Sequence, residues 1–69
     1  MDEREILADL DEIQRVLSRM VGEILAALPQ DKKRLFCDWN YLHTFSLRQK
    51  HSREGFVEAH RILRTYKAK

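Results

Sequence analysis

The chain has 69 residues, a formal net charge of +2 and a single cysteine, Cys37. A chain of this length makes one domain, and so small a domain commonly needs disulfides, a metal ion or oligomerisation to be stable. A single cysteine excludes a disulfide within the chain. The composition therefore favours one domain over residues 1–69 that self-associates.

Two features of the sequence bear on its compartment. An unpaired thiol is typical of a reducing environment, and the chain begins without the apolar run of a secretory signal. Its apolar stretches are a few residues long, whereas a membrane-spanning helix needs about 20. We therefore expect a cytoplasmic protein that does not enter a membrane.

The modest net charge conceals an asymmetry along the chain. Residues 1–28 contain seven acidic residues against three arginines, whereas residues 29–69 contain ten Lys and Arg against four acidic residues. All six aromatic residues and all three histidines also lie in the second part. The first part is therefore acidic and aliphatic, and the second is basic and aromatic.

An apolar seam marks the first predicted helix, over about residues 2–28. Its members recur at spacings of four and three residues, which is the heptad spacing of a coiled coil; they are Ile6, Leu10, Ile13, Leu17, Met20, Ile24 and Ala27. Acidic residues in the first turn favour the positive end of the helix dipole. Pro29 ends the segment, because the residue before a proline avoids the α region.

Two shorter helices follow, predicted over about residues 32–50 and 53–67, with Asp31 and Ser52 as N-caps. Helix 2 is apolar around most of its circumference, which is typical of a helix packed on two sides; its main stripe is Leu35, Trp39, Leu42 and Ser46. Helix 3 has a stripe of Phe56, Ala59, Leu63 and Tyr66. The sequence thus predicts an all-α fold, in which a hairpin of helices 2 and 3 packs on the long amphipathic helix 1.

The unequal helix lengths are the main argument for self-association. Helix 1 would be roughly 40 Å long and the other two about 22 to 28 Å, so a side-by-side hairpin would leave an apolar overhang. Soluble monomers rarely expose such a patch. We predict a dimeric helical bundle first and a tetramer second, with the interface formed by the seam residues Ile6, Leu10, Ile13, Leu17, Met20 and Ile24; a monomeric three-helix bundle is the alternative.

The candidate catalytic and metal-binding residues form no complete site. Cys37 and His43 are six residues apart, an offset of about 240° on one helix, so they cannot meet as a nucleophile and base. His51 with Glu54 is the best pair for a metal, and it lacks the further ligands that a helical-bundle site needs. No glycine-rich phosphate loop is present. We expect no enzyme activity, no metal and no cofactor.

The remaining functional signal is a basic arc on helix 3, formed by Arg53, His60, Arg61, Arg64 and Lys67. Such an arc could face an anionic partner, or it could balance the acidic helix 1 within the fold. We interpret the chain as a small, non-catalytic, self-associating module that binds proteins in a regulatory role. The alternative is a nucleic-acid-binding regulator that presents two basic helices from a dimer.

Overall fold

The computed structural model describes residues 2–27, 30–48 and 52–68, and all secondary structure in these segments is helical. The helices are α1 (Glu3–Ala26), α2 (Lys33–Arg48) and α3 (Arg53–Lys67). The predicted bounds of α3 agree with the structure. The first two predicted helices, over about residues 2–28 and 32–50, are longer than α1 and α2. The ends predicted near Leu28 and Lys50 lie outside the described residues.

Side chains cap the first turns of α1 and α3. The Asp2 carboxylate accepts a hydrogen bond from the Arg4 amide at 3.2 Å, and the Ser52 hydroxyl accepts one from the Gly55 amide at 3.1 Å. The prediction that Asp31 caps α2 is not realised, because Asp31 lies in a turn over residues 30–32 that precedes the helix. The first backbone hydrogen bond of α2 is accepted by the carbonyl of Lys32 from the Phe36 amide, at 2.9 Å.

The three helices form an up-down-up bundle in which each helix contacts the other two. The side chains of Gln14 and Ser46 meet at 3.4 Å, so the end of α2 lies beside the middle of α1. Arg19 donates a hydrogen bond to the Tyr66 carbonyl at 2.7 Å, so the end of α3 lies beside the second half of α1. The bundle measures 39 × 20 × 18 Å, and its long axis is about the length that 24 helical residues span.

The core is a single apolar cluster to which all three helices contribute. Its members are Ile13, Val16, Met20, Leu35, Leu42, Phe45, Phe56, Ala59, Ile62, Leu63 and Tyr66. The stripe predicted on α3 is buried throughout. On α2 the structure differs from the prediction at Trp39, which is partly buried at the edge of the core, and at Asp38, which is buried.

The seam of α1 packs inside the chain. Ile13 and Met20 have no exposed area, and the other four members of the predicted interface pack against the core: Ile6, Leu10, Leu17 and Ile24. A second copy cannot reach Ile13 or Met20 unless the bundle opens. Self-association therefore stays a prediction, and a contact between intact bundles would use residues other than Ile13 and Met20.

The predicted overhang of α1 is divided between its two ends. His60 of α3 contacts Asp9, near the start of α1, whereas Phe36 of α2 lies beside Leu25, near its end. The two shorter helices are thus staggered along α1, and between them they cover most of its length.

Candidate protein-binding face

Several exposed apolar side chains of the described residues border the groove between α1 and α2. We name this surface the α1–α2 face; it is formed by Leu17, Val21, Leu25, Phe36, Trp39, His43 and Leu47. Leu25 is 82% exposed, Leu47 70%, Phe36 51% and Val21 39%. Two adjoining hollows of about 380 and 190 Å³ share Val21 and Trp39 and run along the groove.

Helical spacing explains why these side chains share one side of the bundle. On α1, Leu17, Val21 and Leu25 follow one another at steps of four, and on α2, Trp39, His43 and Leu47 do the same. Residues at such steps lie one above the other on a helix. They flank the stripes that face the core, so the apolar surface of each helix is wider than one contact can cover.

An aromatic row lines the α2 side of the groove. The ring centroids of Phe36 and Trp39 are 5.9 Å apart, and Trp39 stacks on His43 at 5.1 Å with an interplanar angle of 22°. Aromatic side chains of this kind are enriched at the centres of protein interfaces. Trp39, which the sequence placed at the centre of the core, is instead the middle of this partly exposed row.

A second, more polar groove of about 630 Å³ separates α2 from α3. Its walls include Cys37, Tyr41, Glu54 and Glu58. The Tyr41 hydroxyl donates a hydrogen bond to the Gly55 carbonyl at 3.1 Å and so links the two helices. Cys37 is exposed, and it lies in a different groove from His43.

Three of the five basic-arc residues bind carboxylates of the chain itself. His60 Nε2 lies 2.6 Å from an Asp9 oxygen, and Lys67 Nζ lies 3.4 Å from a Glu12 oxygen. Arg61 Nε donates to both oxygens of Glu58 at 3.1 Å, and the same guanidinium lies 3.9 Å from the buried Asp38. Arg53 and Arg64 form no ion pair with the described residues.

The pairing of Arg61 with Glu58 shifts both titrations. The hydrogen bond from Arg61 holds the pKa of the Glu58 carboxyl below its usual value, and the charges of Arg61 and Arg34 act in the same direction. The same hydrogen bond raises the pKa of Arg61. Both groups are therefore charged at neutral pH and form an ion pair with each other. The Arg61 guanidinium is thus less available to bind an external anion.

The described residues hold neither a metal-binding group nor a membrane-crossing helix. No three His, Cys, Asp or Glu side chains among them are grouped to hold a metal ion, and His51 of the pair considered above lies outside them. No helix in the described segments is both long enough and apolar enough to cross a membrane.

The sequence alone did not identify the α1–α2 face. The available signal was an excess of large apolar residues beside the seam of α1, including Val21 and Leu25, that a single stripe cannot accommodate. Comparison with known proteins adds no relative, because no family profile, curated protein or solved structure matches the chain. The geometry of the face therefore carries the functional argument.

Proposed function

We propose that this chain is a non-catalytic protein-binding module that works as a homodimer, and that the two copies meet on the α1–α2 face. The observation that carries the proposal is the exposure of Val21, Leu25, Phe36 and Leu47 around two hollows that adjoin along one groove. Large apolar side chains that are exposed together on a monomer commonly have a binding role.

A dimer accounts for this surface more simply than a tetramer does. A single apolar face is satisfied by one two-fold contact, in which the same patch of both copies is buried. A closed tetramer needs a second contact surface, and the outer side of α3 offers only Val57 as a large exposed apolar residue. We place the dimer in the cytoplasm, where the exposed thiol of Cys37 stays reduced.

Nucleic-acid binding is the weaker alternative. Affinity for phosphates depends on Lys and Arg side chains that are free to displace counterions. Because His60, Arg61 and Lys67 already face carboxylates, the basic arc retains Arg53 and Arg64 as its cations without an ion pair to the described residues. We expect no retardation of duplex or single-stranded probes at low salt, in the parent or in an Arg61→Glu, Arg64→Glu variant.

Light scattering and sedimentation at micromolar to millimolar concentration test the dimer. Leu25→Glu places a charge on the α1–α2 face and should give a monomer with unchanged helicity, because Leu25 contributes little to the core. Val57→Glu is the matched control: Val57 is 64% exposed on α3, and this variant should remain a dimer. A parent protein that stays monomeric throughout this range would overturn the proposal.

A further inference from the structure

We propose that His43 makes the dimer sensitive to pH, so that protonation of its imidazole in mildly acidic solution separates the two copies. This pH sensitivity rests on the homodimer proposed above and adds the regulation of its contact. The observation behind it is the position of the imidazole. His43 lies half-buried in the α1–α2 face, in a hollow to which the described residues contribute no other ionisable side chain.

The hollow around His43 has a volume of about 380 Å³ and is lined by both helices of the face. Most of its lining residues are the apolar members of the α1–α2 face, and the others are Gln14, Ser18 and Ser46. The amide and hydroxyl groups of these three side chains carry no charge. No described residue of the hollow can therefore form an ion pair with a protonated imidazole.

The charged residues that adjoin these side chains in sequence do not line the hollow. Three of them are the cations Arg15, Arg19 and Arg48. Positive charges disfavour a further positive charge nearby. The fourth is Asp38, whose buried carboxylate lies 3.9 Å from Arg61 of α3 rather than in the groove with α1. Within the described residues, a protonated His43 thus has no carboxylate beside it.

A second copy changes the surroundings of the imidazole. In the monomer the hollow is open to water, which solvates both protonation states. When the same face of a partner covers the hollow, that water is displaced, and a two-fold contact presents only the same kinds of side chain from the other side. An unpaired imidazolium then loses hydration without gaining a counter-charge, whereas a neutral imidazole loses much less. Protonation therefore favours the separated copies.

The stack of His43 on Trp39 does not reverse this preference. The two rings belong to one chain, and their centroids are 5.1 Å apart in the single copy. An attraction between an imidazolium and the face of the indole is therefore made in the monomer as well as in the dimer. What differs between the two states is the hydration of the charge.

The direction of the pH dependence follows from linkage. The separated copies bind protons at His43 more readily than the dimer does, so lowering the pH through the range in which histidines titrate raises the dissociation constant. Each dimer contains two such imidazoles. If the dimer excluded both protons, the dissociation constant would rise roughly 100-fold between about pH 7.5 and about pH 5.5. We expect a rise of at least about tenfold.

Sedimentation equilibrium of the full chain at about pH 7.5 and about pH 5.5 measures this rise. His43→Gln and His43→Phe are neutral at both values, so each variant should dimerise with a dissociation constant that changes less than about threefold. His60→Gln is the matched control, because His60 lines a different hollow, between α1 and α3; it should retain the pH dependence of the parent. Circular dichroism at both pH values checks that the helices are intact.

Two results would overturn the pH sensitivity while leaving the dimer intact. One is a parent dissociation constant that is the same at both pH values, and the other is a pH dependence that persists in both His43 variants. A parent chain that is monomeric at neutral pH would instead refute the homodimer, and the pH sensitivity with it.

Fluorescence of Trp39, the single tryptophan of the chain, reports protonation in the separated copy. In the monomeric Leu25→Glu variant, protonation of the stacked imidazole should quench the indole emission as the pH falls. Adding His43→Gln to this variant should abolish the quenching. An emission that stays constant in Leu25→Glu would show that His43 remains neutral in the monomer, which would also overturn the proposal.

Discussion

The Nε2 atom of His60 lies 2.6 Å from Oδ2 of Asp9 and joins α3 to α1 across 51 positions of sequence. Lys67 and Glu12 repeat the pattern two turns further along α3, at 3.4 Å. Two acidic residues of α1 therefore lie against two basic residues of α3 within the fold. The uneven distribution of charge along the sequence thus brings side chains of opposite type together between these two helices.

The contact between His60 and Asp9 should contribute modestly to stability. We expect Asp9→Asn to lower the free energy of unfolding by about 0.5–1 kcal/mol, because both side chains are partly open to solvent. Urea denaturation of Asp9→Asn, His60→Gln and the double variant gives the coupling energy directly. Asp11→Asn is the control, since its partner Arg15 lies on the same helix; additive effects of the first two changes would contradict the contact.

Much of this fold follows from the sequence by local rules. The stripe of α3 is short, regular and bounded by a capping serine, so both its limits and its buried residues could be predicted. These features depend on the spacing of residues within a few turns of one helix.

The partner of the α1 seam could not be predicted in the same way. A heptad seam predicts that a helix packs against another helix, but that second helix can belong to the same chain or to a second copy. The stagger of α2 and α3, which brings both onto the seam, is a tertiary property. The α1–α2 face depends on this tertiary arrangement, because the arrangement encloses the seam residues Ile13 and Met20 and leaves the neighbouring Val21 and Leu25 exposed.

Leu42 and Trp39 should differ in their effect on stability, although both were expected in the core. Leu42 has no exposed area, so Leu42→Ala should cost about 2–5 kcal/mol. Trp39→Ala should cost the monomer less, because part of the indole already faces water. Denaturation at concentrations below the dimerisation midpoint checks both values, and light scattering should show that Trp39→Ala also weakens self-association. An equal or larger loss of monomer stability at Trp39 would place it in the core after all.

The two glycines should respond in opposite ways to alanine. A Cβ atom at Gly22 meets nothing within 4 Å, and alanine is favoured over glycine inside a helix by up to about 1 kcal/mol. Gly22→Ala should therefore raise the melting temperature. At Gly55 a Cβ atom would lie 2.9 Å from Ser52 Oγ, the atom that caps α3, so the gain in propensity is offset by damage to the cap.

Thermal melts of the two alanine variants, with Ser52→Ala as a reference for loss of the cap, separate these effects. We expect the order of stability to be Gly22→Ala, then the parent, then Gly55→Ala. If Gly55→Ala were as stabilising as Gly22→Ala, the prediction would be contradicted. The Ser52 hydroxyl would then have moved away from the new Cβ atom without a loss of stability, so its capping hydrogen bond would contribute little to the free energy of unfolding.

Alkaline pH should destabilise the fold through its two tyrosines. Burial raises the pKa of Tyr41 above 10.0, and the charge of Glu58 raises it further. Burial likewise raises the pKa of Tyr66, with Asp38 and Glu23 acting in the same direction. Above about pH 10 the unfolded chain loses these phenolic protons while the folded chain retains them, so the free energy of unfolding falls as the pH rises through the folded-state pKa values.

Stability measured from about pH 8.5 to 11 tests this linkage. Tyr41→Phe and Tyr66→Phe should each make the decline shallower than in the parent, whatever they do to stability at neutral pH. Because lysines also titrate in this range, the comparison with the parent isolates the tyrosine contribution. Phenolate absorbance supplies a direct check: the folded chain should ionise at higher pH than the chain in urea. Equal slopes in all three proteins, with coincident phenolate curves, would contradict the prediction.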